Sequence, residues 1–334
     1  MKVFQLKQTW FAIIAAFILG FAASYFLTER EIVVETKAEA QNSTSQLREK
    51  GSFQFINPLI ECDNYQPENN ASVANLRAEL GTYISGIKAD HSVEHISIYY
   101  RDLNNGGWIG INEDENYSPA SLLKVPIMVC ALKKADNDPG FLKKKIKFSR
   151  YSDDTTPNIV DTALIKLGNT YTVEELIYKM IANSDNEAKN LILNEVGDDA
   201  FTKTFIDAGI APPNFEYSTD ILSTKSYSAF FRVLYNATYL SKEMSEKGLY
   251  FLSKASFKQG LVAGVPQGIA VSHKFGERAF ADTNIKQLHD CGIVYLNGTP
   301  YLLCVMTKGT NFKILEGVIA KVSSIVYSQV SSGS

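Results

Sequence analysis

The sequence predicts an α/β (α+β) fold of two lobes, in which an antiparallel sheet is flanked by N- and C-terminal helices and joined to an all-helical lobe, with a single transmembrane helix in front. Three observations support this prediction. Residues 9–27, near the N-terminus, carry no charge. In the remainder of the chain, the segments with a strand-like pattern lie towards the two ends. The middle, to about residue 250, has a mostly helical pattern. The two ends would therefore share one α/β layer, with a cleft between that layer and the helical middle.

The N-terminal run 9–27 is long enough, as a helix of about 28 Å, to cross the hydrocarbon core of a bilayer. Lys2 and Lys7 precede it, and the positive-inside rule then makes 1–8 a cytoplasmic tail and places the rest of the chain outside the cytoplasm. This predicts a single-pass protein of the cell membrane. A cleaved signal peptide is the alternative, because 22–24 has the small residues of a cleavage site, and the protein would then be secreted.

Residues 28–70 are polar and show no sustained apolar period, which predicts a stalk between the membrane and a domain at 71–331. The domain opens with apolar residues at helical spacing, followed by a strand at 95–100 that turns back into a second strand at 108–111. Thr172 and Glu175 have the spacing of a helix capping box. Three further strand segments precede an apolar-periodic helix at the C-terminus; they lie at 268–274, 291–296 and 301–307.

Composition excludes few functions. The chain has 334 residues, 45% of them hydrophobic, and a formal charge of −3, so it can bury a substantial core and shows no basic stripe that would indicate a nucleic-acid partner. The densest basic run, 143–147, is interpreted as a solvated face, with contact to an anionic cell-envelope polymer as the alternative. No spacing resembles a zinc site, and we expect no metal and no cofactor.

The cysteines at 291 and 304 flank a predicted hairpin turn at Asn297 and Gly298. Counting outward from the turn places Cys291 and Cys304 opposite each other. In an extracytoplasmic compartment they could form a cross-strand disulfide, or they could be two small buried apolar residues.

Ser121 and Lys124 are the pair of residues in the sequence that best fits a catalytic nucleophile and its base. They are three residues apart and would lie on one face of a helix, where an unprotonated lysine amine can take the proton of a serine hydroxyl. Ser118 and Pro119 have the form of a helix cap and a first-turn proline, and Pro126 predicts a kink further on. A second Ser-x-x-Lys match at 85–88 precedes the first strand and is interpreted as a chance match.

Two more motifs follow Ser121 in the order that the two-lobe fold would bring together. Ser184, Asp185 and Asn186 join two helical segments of the middle lobe and offer a hydroxyl and an amide. Lys274, on a strand of the other lobe, is followed two residues later by Gly276, so that a cation and a bare glycine edge can face the cleft.

In this order, Ser-x-x-Lys, Ser-Asp-Asn and a Lys-x-Gly strand, the motifs resemble those of the penicillin-recognising serine hydrolases, particularly class A β-lactamases and D-alanyl-D-alanine peptidases. The resemblance covers residues 72 to about 330. It implies a β-lactamase-like fold and an acyl-enzyme mechanism in which Ser121 attacks an amide carbonyl, Lys124 takes its proton, and Ser184 relays that proton to the departing nitrogen.

The same resemblance implies how the substrate is held. Asn186 would hold a side-chain amide, and Lys274 would attract a carboxylate and help to keep Lys124 deprotonated. The backbone N–H groups of Ser121 and Glu277, just after Gly276, would form the oxyanion hole.

The sequence departs from that family's pattern in two places. Phe275 replaces the hydroxyl residue between the lysine and the glycine, which removes one hydrogen bond to a substrate carboxylate. The glutamate that frees the enzyme in class A β-lactamases has no matching run here, and Glu216 and Asp220 are the acidic candidates for deacylation in the short segment after the second motif. Without such a base, an acyl-enzyme would be long-lived or would pass to an amine acceptor.

We therefore expect a membrane-anchored extracytoplasmic serine hydrolase or acyltransferase that acts on a β-lactam or a cell-wall peptide. An esterase or amidase of the same fold is the first alternative, favoured by Phe275. A non-catalytic envelope binding protein is the second, and it is disfavoured because a scaffold would not need all of Ser121, Lys124, Ser184, Asn186 and Lys274.

Overall fold

A computed structural model describes residues 46–48, 53–62, 71–88, 92–152, 164–213 and 219–332. The strands in chain order are β1 (Gln46–Arg48), β2 (Leu59–Cys62), β3 (Val93–Asp102), β4 (Trp108–Ile111), β5 (Asn116–Tyr117), β6 (Lys145–Lys147), β7 (Thr170–Thr172), β8 (Leu222–Ser223), β9 (Val271–Ala279), β10 (Lys286–Val294) and β11 (Tyr301–Gly309). The α-helices are α1 (Ala71–Lys88), α2 (Lys124–Asn137), α3 (Val173–Ala182), α4 (Asn186–Val196), α5 (Asp198–Asp207), α6 (Thr224–Tyr235), α7 (Lys242–Ser253) and α8 (Phe312–Ser332).

The main sheet has five antiparallel strands in the order β4-β3-β11-β10-β9. The hairpin of β3 and β4 therefore joins the C-terminal strands through β11, as expected for two chain ends that share one layer. Almost every residue of β10 and β11 is buried, because both faces of the sheet are covered. At its other edge the sheet ends in β9, which carries Lys274 and Gly276.

Two hydrophobic cores cover the two faces of the sheet. One lies between the sheet and α1 and α8, and contains the apolar residues Leu80 and Ile319 of those helices. The other lies between the sheet and the helical lobe, which is built from α2 to α7 and centres on residues such as Met128 and Phe230. The predicted two-lobe fold is confirmed in this arrangement.

Local signals account for several element boundaries. The capping box predicted for Thr172 and Glu175 is present at the start of α3, because the Thr172 hydroxyl accepts from the Glu175 N–H while the Glu175 carboxylate accepts from the Thr172 N–H. Helix α4 begins after Asp185, whose carboxylate accepts from the Ala188 N–H at 2.9 Å. The predicted strands are all present, although β9 begins later than expected, at Val271, and extends to Ala279.

The start of α2 differs from the prediction. A 3-10 turn, Ala120–Leu123, precedes the helix, and the Ser118 side chain caps neither. Because α2 begins at Lys124, Pro126 occupies the third position of the helix, where a backbone N–H has no partner inside the helix. The missing N–H of proline therefore costs nothing there, and the predicted kink has no cause.

Part of the predicted stalk is folded. Strand β1 pairs with β2, and the side chains of Phe55 and Ile56 are buried in the core of the helical lobe. The Glu246 carboxylate on α7 accepts from three successive N–H groups, those of residues 54–56, at 3.0 to 3.2 Å. The folded unit therefore begins before residue 71 and extends to α8.

The predicted transmembrane segment, 9–27, and the cytoplasmic tail, 1–8, lie outside the described residues. Within the part of the chain that the structure describes, no helix is both long and apolar enough to span a bilayer.

The two alternatives for the hairpin cysteines are resolved. Cys291 on β10 lies directly opposite Cys304 on β11, and a disulfide joins them. Both cysteines are fully buried on the side of the sheet that faces the helical lobe.

Candidate active site

Ser121 lies in the 3-10 turn Ala120–Leu123, directly before α2. The preceding residue, Ala120, has a positive φ of 47°, a conformation that non-glycine residues adopt only at a cost. The turn is held from both sides, since the Leu122 N–H donates to the Pro119 carbonyl at 2.8 Å and the buried Tyr227 hydroxyl donates to the Leu122 carbonyl at 2.9 Å. The position of Ser121 is therefore set by its neighbours in the fold.

Lys124 links Ser121 to the second motif. Its side chain is buried, and Nζ lies 3.0 Å from Ser121 Oγ, 3.0 Å from Ser184 Oγ and 2.7 Å from Asn186 Oδ1. The Ser184 carbonyl also accepts from Lys124 Nζ, at 2.5 Å. One amine thus contacts both hydroxyl groups and the amide that the sequence identified.

Ser184 is held in a strained backbone conformation between α3 and α4, with a positive φ of 56°. The following residue, Asp185, is buried and anchors the segment, because its carboxylate caps α4 and also accepts from the Ile165 N–H at 2.7 Å. The strain and the anchor together direct the Ser184 hydroxyl at the two lysines.

Lys274 approaches Ser184 from the sheet. Its side chain is fully buried, and Nζ lies 3.1 Å from Ser184 Oγ and 2.8 Å from the Phe275 carbonyl. Burial lowers the pKa of Lys274 to about 7, although the negative charges of Asp290 and Glu277 act in the opposite direction. Lys274 is therefore a cation that loses its charge close to neutral pH.

Phe275 turns away from the site. Its ring belongs to the core on the other face of the sheet, where it stacks on Phe257 with the ring centroids 4.3 Å apart. The Phe275 ring is therefore packed in the core and offers no hydrogen bond to a ligand held beside Lys274 and Gly276.

Gly276 lets β9 lie against the Ser121 turn. A Cβ on Gly276 would lie 2.8 Å from the Pro119 carbonyl oxygen and 3.1 Å from Leu122 N, which are backbone atoms that have little room to move. Glycine is thus required at this position by close packing.

Glu277 follows Gly276 on the edge strand, and its side chain belongs to the far face of the sheet. Burial raises the pKa of Glu277 to about 7, with a further contribution from Glu316 on α8, while Lys274 acts in the opposite direction. The backbone of Glu277 remains at the edge of the sheet beside the site.

Of the two acidic candidates for deacylation, the structure describes Asp220. Asp220 lies just before β8, and its carboxylate accepts from Gln287 Nε2 at 3.3 and 3.4 Å. Glu216 lies outside the described residues. Among the described residues, the hydrogen-bond partner of Ser121 Oγ is Lys124 Nζ, not a carboxylate.

Several residues that support the site were missed from the sequence. They surround Ser118: its N–H donates to Gln287 Oε1 at 2.9 Å, its carbonyl accepts from His289 Nε2 at 3.0 Å, and its hydroxyl accepts from Arg278 Nη1 at 2.9 Å. Burial lowers the pKa of His289 to about 4, so its imidazole is neutral at pH 7. Gln287 and His289 are two residues apart on β10, so the sequence pattern of a strand predicts that they share a face. The sequence does not predict that this face contacts Ser118.

The Ser-x-x-Lys match at 85–88 is not part of this site. Ser85 is exposed on α1, on the opposite side of the sheet, and its hydroxyl donates to the Gly81 carbonyl within the same helix. No group of three metal-ligating side chains occurs among the residues that the structure describes.

The family model of the "Beta-lactamase enzyme family" matches residues 77–330, which is most of the chain and all of the site. The chain belongs to the β-lactamase enzyme family. The expected resemblance to penicillin-recognising serine hydrolases is thereby confirmed, and so is the expected class of enzyme, a serine hydrolase with an acyl-enzyme mechanism.

Individual relatives are distant. A β-lactamase of Phocaeicola vulgatus is 25% identical over 254 residues, covering 68% of this chain and 77% of the relative. A class A β-lactamase from Bacteroides cellulosilyticus superposes with a TM-score of 0.68 at 18% identity, over 79% of this chain and 100% of the other. A variant of PBP-A, solved as an acyl-enzyme complex with penicillin G, superposes with a TM-score of 0.66 at 21% identity, over 80% and 100%. These structural similarities establish the fold.

Proposed function

We propose that this member of the β-lactamase family is a membrane-anchored, extracytoplasmic enzyme that forms an acyl-enzyme at Ser121 with β-lactams or cell-wall peptides and releases the acyl group slowly. The observation that carries the proposal is the position of Lys124 Nζ, 3.0 Å from both Ser121 Oγ and Ser184 Oγ. A single amine can thus take a proton at the attacking oxygen and return it through the second hydroxyl.

In the first step, Ser121 Oγ attacks the substrate carbonyl while Lys124, as a free amine, accepts the serine proton. Burial and a nearby second cation are the conditions under which a lysine acts as a base. The backbone N–H groups of Ser121 and Glu277 would bind the oxyanion that forms. The close contact of Gly276 with the Ser121 turn supports this role, because it brings the two backbone segments together before the substrate binds.

In the second step, the bond between the carbonyl carbon and the departing nitrogen breaks, and Ser184 passes a proton to that nitrogen. The Ser184 oxygen accepts from Lys124 at 3.0 Å and from Lys274 at 3.1 Å, and an oxygen that accepts twice directs its own proton outward. The proton that Lys124 took from Ser121 then restores the Ser184 hydroxyl.

Substrate binding would depend on Asn186 and Lys274. The contact of Asn186 Oδ1 with Lys124 fixes the orientation of the amide, whose Nδ2 would donate to a substrate carbonyl. Lys274 would attract a carboxylate on the leaving-group side, without the hydroxyl that Phe275 replaces.

Slow release of the acyl group is proposed because, among the described residues, no carboxylate makes a hydrogen bond to Ser121 Oγ. Hydrolysis of an acyl-enzyme needs a base that activates water, and Asp220 makes hydrogen bonds to Gln287 instead. We therefore favour a penicillin-binding or acyl-transferring enzyme over a fast β-lactamase, with Glu216 and Asp220 as the candidate bases of a fast enzyme.

The test is a time course of the intact mass of the full-length chain after mixing with benzylpenicillin. We expect an adduct of one penicillin per chain that persists for many minutes and decays faster when an amine acceptor such as a D-amino acid is added. Rapid loss of benzylpenicillin from solution with no adduct would establish a fast β-lactamase and contradict slow release.

An esterase or amidase with the same nucleophile is the second candidate, because the buried Phe275 ring leaves one carboxylate contact unmade. If benzylpenicillin gives neither adduct nor product, hydrolysis of short neutral esters that depends on Ser121 would favour this candidate.

Membrane attachment is proposed from residues 9–27. After cell fractionation we expect the full-length chain in the membrane pellet and a chain without residues 1–27 in the soluble fraction. Recovery of the full-length chain in the soluble fraction, shortened at its N-terminus, would instead support the cleaved signal peptide.

A further inference from the structure

Two large apolar side chains are exposed beside one buried ring of the helical lobe. Tyr151 is 57% exposed and Leu167 is 49% exposed. The ring centroid of Tyr151 lies 5.1 Å from that of Phe148, which is buried in the core of this lobe. Leu167 precedes Gly168, whose N–H donates to the Phe148 carbonyl at 2.7 Å. Both exposed residues therefore lie next to Phe148.

A cation directly precedes each of these three residues in the chain. The three cations are exposed, and among the described residues none of them forms an ion pair. They are Lys147, Arg150 and Lys166. Together with Tyr151 and Leu167 they form a surface that we call the basic–apolar patch.

The segment that carries the patch is positive, although the chain as a whole is negative. Residues 141–170 contain six basic and three acidic residues, a net charge of +3, whereas the whole chain has a formal charge of −3. The three acidic residues of the segment lie outside the described residues. In the described part of the chain, the carboxylates that bind this segment contact Ile165, Ser152 and Lys144; they belong to Asp185, Glu187 and Glu195. None of them pairs with a cation of the patch, which is therefore able to attract an external anion.

An anionic bilayer surface fits both components of the patch. Its phosphate headgroups attract lysine and arginine side chains, and the layer at headgroup level accepts tyrosine rings and other amphipathic or apolar side chains. A dissolved anionic polymer would use the cations and leave Tyr151 and Leu167 in water. The combination favours a lipid surface over the cell-envelope polymer considered for residues 143–147.

We propose that the basic–apolar patch docks on the surface of a membrane that contains anionic phospholipids. This inference goes beyond the proposed enzymatic activity and does not depend on it. The patch adjoins the second motif, because the N–H of Ile165, next to Lys166, donates to the Asp185 carboxylate at 2.7 Å. Docking would therefore hold the active site close to the membrane. An anchor at 9–27 would keep the patch near the bilayer, so that a weak contact is sufficient.

The test places an environment-sensitive fluorescent amino acid at position 167 of the full-length chain, which is reconstituted into vesicles. We expect a blue shift of its emission, and quenching by lipids with brominated acyl chains, in vesicles of phosphatidylcholine and phosphatidylglycerol but not of phosphatidylcholine alone. High salt should reverse both effects, because it screens the attraction between charges. The control is the same probe at the position of Ile206, an apolar residue on α5 that is 60% exposed and precedes Asp207; it should not respond.

A triple variant, Lys147→Gln, Arg150→Gln and Lys166→Gln, tests the contribution of the cations. Each cation near an anionic surface contributes about five-fold to binding, so the ratio of docked to undocked chains should fall about 100-fold and the blue shift should be lost. Its unfolding in urea should match that of the unaltered chain, because the three residues are exposed. A control variant removes the same charge at other exposed lysines and should keep the blue shift; it carries Lys203→Gln, Lys313→Gln and Lys321→Gln.

Three results would each overturn the inference: no response at position 167 in anionic vesicles, an equal response at position 206, or an unchanged response in the triple variant. Polyphosphate, added to the chain in detergent, distinguishes the other anionic partner. A response of the probe to polyphosphate without a response to anionic vesicles would show a polymer-binding surface and refute docking on lipid.

Discussion

Lys274 Nζ, on the sheet, lies 3.1 Å from Ser184 Oγ, in the helical lobe. This contact closes the cleft at one end and joins two of the three motifs, while Lys124 joins the second motif to the first. The Ser184 hydroxyl is therefore shared by two lysines from different parts of the fold, and the chemistry proposed for Ser121 depends on that arrangement.

Because the backbone at Ser184 is strained, two substitutions there should have the same effect on activity but different effects on stability. Ser184→Ala and Ser184→Gly both remove the hydroxyl, and both should slow acylation by benzylpenicillin about 100-fold or more, the effect of losing a proton relay. Because φ is 56° here, the glycine variant should be more stable than the alanine variant by about 0.5 to 1 kcal/mol. Chemical denaturation and intact-mass kinetics measure the two effects.

The control for this strain is Ala237, which has a φ of 48° and lies outside the site. Ala237→Gly should be stabilising by a similar amount with unchanged acylation. Equal stabilities for Ser184→Gly and Ser184→Ala would contradict the assignment of strain to Ser184.

The packing of β9 on the Ser121 turn predicts a large effect of one methyl group. Gly276→Ala would place a Cβ 2.8 Å from the Pro119 carbonyl oxygen, so either the strand or the turn must move. We expect acylation to slow by about 100-fold, because a displacement of 1 Å at a catalytic centre has an effect of that size. Gly81→Ala on α1, where a Cβ meets no atom within 4 Å, should leave the rate unchanged; an unaffected rate in Gly276→Ala would show that the close contact does not position Ser121.

The lowered pKa of Lys274 predicts the pH dependence of carboxylate recognition. With a pKa of about 7, Lys274 is charged below pH 7 and becomes neutral as the pH rises. The rate of acylation by benzylpenicillin, divided by that of its methyl ester, should therefore fall about ten-fold between pH 6 and pH 8. The ester lacks the carboxylate, so effects of pH on the other groups cancel in the ratio.

Lys274→Arg provides the matched comparison, because arginine stays charged throughout this range. In that variant the ratio should be independent of pH. A ratio that does not change with pH in the unaltered chain would exclude Lys274 as the group that binds the carboxylate.

The segment at 53–62 predicts a stabilising contact far from the site. Glu246→Gln weakens three hydrogen bonds to the N–H groups of residues 54–56 and should lower the free energy of unfolding by about 2 kcal/mol. Glu94→Gln, at an exposed residue of β3, should change it by less than about 0.5 kcal/mol. Equal stabilities of the two variants in urea would show that the hydrogen bonds of Glu246 to this segment do not stabilise the fold.

The sequence predicted the elements that follow from local pattern. The capping box at Thr172, the helical periodicity of α1 and α8, and the turn that pairs Cys291 with Cys304 are all set by neighbours in the chain. The three motifs were likewise found from their order and spacing, and the fold brings Ser121, Lys124, Ser184, Asn186 and Lys274 together.

Features that depend on distant contacts could not be predicted. Residues 53–62 contain large apolar side chains but no regular apolar period, and their place in the fold depends on Glu246, about 190 positions later in the chain, which binds the N–H groups of residues 54–56. The sequence predicts too early a start for α2, because Ser118 is a typical N-cap residue. In the structure its hydroxyl instead accepts a hydrogen bond from Arg278 on β9. Phe275 could be identified as a departure from the motif, but its stacking on Phe257 required the structure.

The central claim is that Ser121 is the residue acylated by a penicillin. The most direct measurement is the intact mass of the full-length chain, Ser121→Ala and Ser85→Ala after incubation with benzylpenicillin, followed by peptide mapping of any adduct. Ser85 belongs to the second Ser-x-x-Lys match and is the matched control. We expect one adduct, mapped to residue 121, in the unaltered chain and in Ser85→Ala, and none in Ser121→Ala. An adduct that persists in Ser121→Ala, or that maps to another residue, would contradict the claim.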